Sequence, residues 1–154
     1  IAFSSDFIVG FPGESEADFS ATLSLLDEVG YAAAYSFKYS ARPGTPAADM
    51  ADQVPEEVKS ERLQRLQQAI DRHQDEFNVR CIGSTLDVLF EKPARYAGQI
   101  VGRSPYLQPV HVMTDAALIG EIAAVKITGI DAYSLFGTLT AARAHEPALM
   151  AAGG

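Results

Sequence analysis

The chain has 154 residues, 47% of them apolar and 21% charged, with a formal net charge of −8. That is enough chain for one compact domain or two small ones, and no apolar run approaches the roughly 20 residues that cross a bilayer as a helix. The single cysteine, Cys81, excludes an internal disulfide framework, a multi-cysteine zinc site and a self-contained iron–sulfur site.

The first eleven residues, IAFSSDFIVGF, read as a buried strand. Alternation puts Phe3, Ser5, Phe7, Val9 and Phe11 on one face and Ser4, Asp6, Ile8 and Gly10 on the other. Glycine and proline in Gly10-Phe11-Pro12-Gly13-Glu14 mark a turn. A helix is predicted from Ser15, where Ser15 and Asp18 have the spacing of a capping box. Its apolar stripe is Phe19, Leu23 and Leu26, and Gly30 ends it. Gly13-Glu14-Ser15 could offer backbone N–H groups to an anion, although a tight turn and cap explains it more simply. A second strand is predicted over 33–40, with Tyr35, Phe37 and Tyr39 on one face and Ser36, Lys38 and Ser40 on the other.

Strand, helix and strand with short connections predict a parallel βαβ unit. Part of a βα barrel is the natural setting, with aromatic faces outward under helices and Asp6 and Lys38 pointing inward. The loop over 41–54 carries Pro43, Gly44 and Pro46. A long helix should follow, opened by Pro55 with Glu56 and Glu57 at its positive end. Its apolar stripe is Leu63, Leu66, Ile70 and Phe77, and it should run to about residue 79. Two strands and two helices cannot close a βα barrel. With Ile1 as the first residue, the chain is expected to be a piece of a longer protein.

From Ile82 the hydrophobic period changes to two. Strands are predicted near 84–91, 97–103, 108–114, 119–130 and 133–140, with turns at Lys92-Pro93, Ser104-Pro105 and Asp115-Ala116. Short strands at this spacing suggest a small antiparallel barrel. The alanine- and glycine-rich stretch 142–154 is expected to fray. The predicted fold is therefore α/β followed by all-β, with a first domain over 1–80, a barrel over 81–141 and a tail.

Residues 1–80 carry 14 acidic and 7 basic side chains, a net of −7; residues 81–154 carry 6 and 5, a net of −1. A broad nucleic-acid-coating surface is excluded, but a local basic patch from Lys92, Arg95 and Arg103 is not. Lys92, Arg95 and Arg103 could contact RNA phosphates, with Tyr96, Tyr106 or Phe90 as stacking platforms. His73, His111 and His145 lack ligand spacing and read as structural or surface residues. Cys81 reads as a small buried side chain. Lys38 and Arg42 could meet a substrate phosphate or a cofactor carboxylate, or Lys38 could pair with Asp6.

Several segments carry a family resemblance. Asp6-Phe7-Ile8-Val9-Gly10-Phe11-Pro12-Gly13-Glu14 resembles a late strand and turn of the radical S-adenosylmethionine barrel. Phe37-Lys38-Tyr39-Ser40-Ala41-Arg42-Pro43-Gly44-Thr45-Pro46-Ala47 resembles the signature that follows it in methylthiotransferases. Val54-Pro55-Glu56-Glu57-Val58-Lys59 with Arg62-Leu63 is similar to that family's linker helix. Residues 82–140 resemble its C-terminal TRAM domain, a small RNA-binding barrel, through Gly98, Gly102-Arg103-Ser104 and Ser134-Leu135-Phe136-Gly137.

The segment 37–42 is closer to the tRNA (MiaB-type) branch than to the branch that modifies an aspartate of a ribosomal protein. The resemblance implies a cytoplasmic, monomeric enzyme that methylthiolates a dimethylallyl-adenosine in the tRNA anticodon stem-loop, using S-adenosylmethionine and two 4Fe–4S clusters. An aromatic C–H bond offers no acid or nucleophile route at neutral pH, which is why such a reaction draws on a radical cofactor. It also implies that Asp6, Ile8 and Gly10 flank the S-adenosylmethionine adenine. Cys81 matches neither cluster motif, so this chain is expected to bind no cluster and to be inactive alone. The alternatives are a non-catalytic RNA-binding module and an enzyme of the branch that modifies a ribosomal-protein aspartate.

Overall fold

A computed structural model describes residues 2–140. The predicted tail over 142–154, with His145, lies outside the described residues. The chain divides into two compact units, residues 1–80 and 81–154. No helix among the described residues is long and apolar enough to cross a membrane.

The first unit is built from strand β1 (Ser4–Val9), helix α1 (Glu16–Val29), strand β2 (Ala33–Lys38) and helix α2 (Glu56–Cys81). Local chemistry sets the ends of α1. The Ser15 side chain accepts from the Asp18 N–H, and the Asp18 carboxylate accepts from the Ser15 N–H at 2.9 Å. Both bonds satisfy donors that a helix start leaves unpaired. Gly30 closes the helix in the left-handed region (φ 63°), and its N–H donates to the Leu26 carbonyl.

β1 and β2 pair in parallel, as the βαβ reading expects. Both helices cover one face of this two-stranded sheet. Phe7 and Val9 pack there with Phe19 and Leu26 of α1 and Leu66, Ala69 and Ile70 of α2. Burial of these groups, each worth about 1.5–3 kcal/mol for a large side chain, is the main force docking the helices.

The register corrects one expectation. Asp6 pairs with Tyr35, Phe7 with Ser36, Ile8 with Phe37, and Val9 with Lys38. Neighbours in a parallel pair share a face, so Tyr35 and Phe37 lie beside Asp6 and Ile8, away from the helices. The aromatic face of β2 is therefore the uncovered one, with Tyr35 63% and Phe37 53% exposed. Lys38 lies on the opposite face from Asp6, and the two do not converge on one interior.

The second unit contains strands β3 (Thr85–Pro93), β4 (Gln99–Arg103), β5 (Pro109–Met113), β6 (Ile122–Asp131) and β7 (Ser134–Leu139). They close into a barrel in the order β3-β4-β5-β7-β6. The five predicted strands all form. β3 runs on through Lys92 and Pro93, where a turn is predicted; a bulge between Phe90 and Lys92 lets it continue along β4. The barrel is mixed, because β5 and β7 pair in parallel while every other pair is antiparallel. Val88, Phe90, Ile100, Val110, Val112, Val125, Ile127 and Leu135 fill the interior. Two positions admit only glycine without displacement of the partner strand. A Cβ on Gly102 would stand 2.4 Å from the Leu89 carbonyl oxygen, and one on Gly137 would stand 2.6 Å from that of Lys126.

Candidate nucleic-acid interface

Arg103 ends β4 and is half exposed. Its guanidinium Nη1 donates to the Leu107 carbonyl at 2.9 Å, and Nε lies 3.4 Å from a Glu91 carboxylate oxygen. These contacts aim the side chain along the 104–108 loop and leave part of its charge facing solvent. The loop is tied down from inside. Ser104 and Gln108 are buried, the Ser104 hydroxyl bonds the Gln108 amide oxygen at 2.9 Å, and the Tyr106 N–H donates to the same hydroxyl at 3.1 Å. The Gln108 side-chain amide also donates to Cys81 Sγ at 3.7 Å. Cys81 is buried, as expected, and has this acceptor role besides.

Two outward features crown that loop. Leu107 holds a left-handed backbone (φ 65°) and is 73% exposed. The Leu107 N–H donates to the Ser104 carbonyl at 2.9 Å, which secures a conformation that costs a non-glycine residue about 1 kcal/mol. Tyr106 is only partly exposed.

Lys92 and Arg95 are both exposed, Lys92 on the outer face of β3 and Arg95 in the connection to β4. Arg95 and Tyr96 line a shallow cleft of about 260 Å³ with Gln99, Ile100 and Thr114. Tyr96 is 66% exposed, whereas Phe90 is fully buried in the barrel interior and cannot stack on a base. The three cations thus sit on adjoining parts of β3, β4 and their connection, and of the three proposed platforms Phe90 drops out.

In the first unit, the expected cofactor residues separate. Asp6 and Ile8 (59% exposed) lie on the open face of the sheet. Gly10 is buried under the aliphatic stem of Lys59, 2.1 Å from where its Cβ would be, and its N–H donates to Glu14 at 3.0 Å. Lys38 is paired with Glu56, which also holds Lys59 at 3.0 Å. The Lys38 and Lys59 ammonium groups draw the Glu56 carboxyl below its ordinary range. Arg42 is exposed, and its carbonyl accepts from the Thr45 N–H and hydroxyl in the proline-rich loop.

Sequence reasoning also missed an ion pair that ties α2 to the turn before α1. Arg62 is 5% exposed, and its Nη1 donates to the Glu14 carboxylate at 2.7 Å and to the Glu14 carbonyl at 3.0 Å. Its position on the α2 face that carries Leu63 and Leu66 was the available signal. Among the described residues, no group of three or more His, Cys, Asp or Glu side chains could hold a metal ion.

Comparison with known protein families completes the description. A TRAM domain matches residues 79–140, the stretch that forms the closed barrel. The barrel accordingly matches the TRAM domain, a likeness that suggests RNA binding, and Arg103, Lys92 and Arg95 lie on its surface.

Proposed function

We propose that this chain is the RNA-binding C-terminal portion of a tRNA methylthiotransferase, with the barrel gripping the anticodon stem-loop. The observation that carries the reading is the TRAM match on a closed barrel with exposed cations. Single-stranded nucleic acid is held by such barrels through cations that follow the backbone and aromatic faces that receive bases. Arg103 is the principal phosphate contact, because its carbonyl and carboxylate partners fix its direction without burying it.

The first unit supplies part of a barrel that binds S-adenosylmethionine. Its open face has the character that an adenine ring requires: Ile8, Tyr35 and Phe37 offer exposed apolar and aromatic surface, with Asp6 beside Tyr35 as a hydrogen-bond acceptor. When bound in such an enzyme, S-adenosylmethionine supplies the radical that attacks an unactivated C–H bond. Gly10 acts from behind this face, as the turn packed under Lys59. The residues described do not fit a 4Fe–4S cluster, since Cys81 is the sole cysteine and is buried. The role of this chain in the reaction is binding and positioning. The whole enzyme, acting in the cytoplasm, draws its cluster ligands from other sequence.

Binding is tested with the present chain and an RNA hairpin that mimics an anticodon stem-loop. Arg103→Ala should weaken binding and flatten the dependence of log K on log salt by about 0.7–0.9, the loss of one phosphate contact. An unchanged slope would remove Arg103 from the interface. Methylthiolation of the hairpin by this chain alone would refute the assignment of a binding role.

A further inference from the structure

We propose that the RNA-contacting face of the barrel is the outer surface of β4, β5 and β7, with His111 and Phe136 as its base platform. The proposal rests on the RNA-binding reading above and adds the face and the residues to it. Register places these groups in one row. Lys92 of β3 pairs with Val101 of β4, Val101 with His111 of β5, and His111 with Phe136 of β7. Val110 and Val112 fill the barrel interior, so alternation turns His111 outward between them. The His111 and Phe136 rings lie 5.5 Å apart at a tilt of 33°. Met113 extends the same face, 66% exposed.

Charge decides what can lie there. In a chain with a net charge of −8, strands β4, β5 and β7 carry no carboxylate. The acidic groups of the barrel strands are on β3 (Asp87, Glu91) and β6 (Asp131), and Glu91 is matched by Arg103. The row therefore runs from the Lys92 cation to an aromatic pair across an acid-free surface, with Arg103 one pleat away on β4. A strand of RNA fits this pattern, its phosphates at the Lys92 and Arg103 end and a base on the rings. The imidazole is held by packing on Phe136, since Nδ1 is shut off from solvent without a hydrogen-bond partner. Its role here is as a π surface, which phenylalanine can reproduce.

The test is fluorescence anisotropy with a labelled RNA hairpin bearing a single-stranded loop, at several salt concentrations, on the whole chain. His111→Ala should weaken binding about tenfold without changing the salt slope, because stacking releases no counterions. His111→Phe should restore affinity. Lys92→Ala should weaken binding and reduce the slope by about 0.7. Lys126→Ala, on the outer face of β6, should bind as the parent does. Urea melts of each variant separate a folding defect from a binding one. Phe136→Leu gives a second reading of the platform that keeps the side chain apolar. If the parent chain binds and His111→Ala and Phe136→Leu bind equally well, the face is wrong and the RNA reading survives. If the parent binds no RNA, both fail.

Discussion

Replacing Gly102 by alanine puts the closeness of β3 and β4 to a quantitative test. A Cβ there would meet the Leu89 carbonyl oxygen at 2.4 Å and Val88 Cγ1 at 2.7 Å. Ordinary contact begins near 3.4 Å, so about 1 Å must be found, and the obstacle is backbone that cannot rotate away. Opening the strand spacing by that much, from its usual value of about 4.8 Å, stretches the ladder where Leu89 faces Arg103 and Phe90 faces Gly102. Two hydrogen bonds weakened at about 1 kcal/mol each, plus looser packing around Phe90, give a loss of about 2–4 kcal/mol. In a domain of this size each kcal/mol moves the midpoint by about 4–8 °C. Hydrogen exchange read by mass spectrometry locates the damage, with early loss of protection expected in β3 and β4. Gly129→Ala is the control, because nothing lies within 4 Å of its Cβ position and its φ needs no glycine; it should change stability by less than about 0.5 kcal/mol. Equal stability of the two variants would refute the close approach.

Other outcomes follow from the first unit. Arg62→Ala leaves the Glu14 carboxylate, 12% exposed, without its cation and should cost about 3 kcal/mol, read by urea denaturation of the helical signal. A loss under about 1 kcal/mol would mean that Glu14 is satisfied by Gly10 alone. Acid should loosen the same unit. Arg65 beside Glu16, Ser15 beside Asp18, His73 beside Asp27 and Lys38 beside Glu56 hold four carboxyls below their ordinary range. Depressed carboxyls give stability that is complete above the unfolded-state values, about pH 4, and disappears as pH falls through the lower folded-state values. The expected result is a midpoint that is flat from pH 7 to about 5 and then declines. A midpoint that rises on acidification would contradict those pairs.

Local chemistry in the sequence was a good guide wherever it was sufficient to set structure. Ser15 with Asp18 and Gly30 bounded α1 because caps depend on residues within one turn. The strands from Thr85 onward were legible because buried and exposed positions alternate over most of their length, as in Val88 and Phe90 or Val110 and Val112. The face of β2 was not. Alternation groups Tyr35 with Phe37, but which group meets the helices depends on register with β1, and size favoured the wrong one. The parallel pairing of β5 with β7 was hidden for the same reason, since it exists only through closure of the ring. In the candidate site, Arg103 and Lys92 could be picked out as cations in a region of low net charge. The Ser104–Gln108 tie could not, because both residues read as ordinary loop polars. Phe90 misled because aromatic character says nothing of which side of the barrel it faces.

Closure of the barrel has a consequence for how the two units meet other chains. A ring of five strands has every ladder paired to its neighbour and offers no free backbone row for an incoming strand. Partners of the barrel must therefore approach through side chains and loop tips. The pair β1–β2 is the opposite case. Each of its strands has one bonded neighbour among the described residues, and its uncovered face carries Ile8, Tyr35 and Phe37. Strand addition should begin there, which is how further strands of the larger barrel proposed above would join this pair.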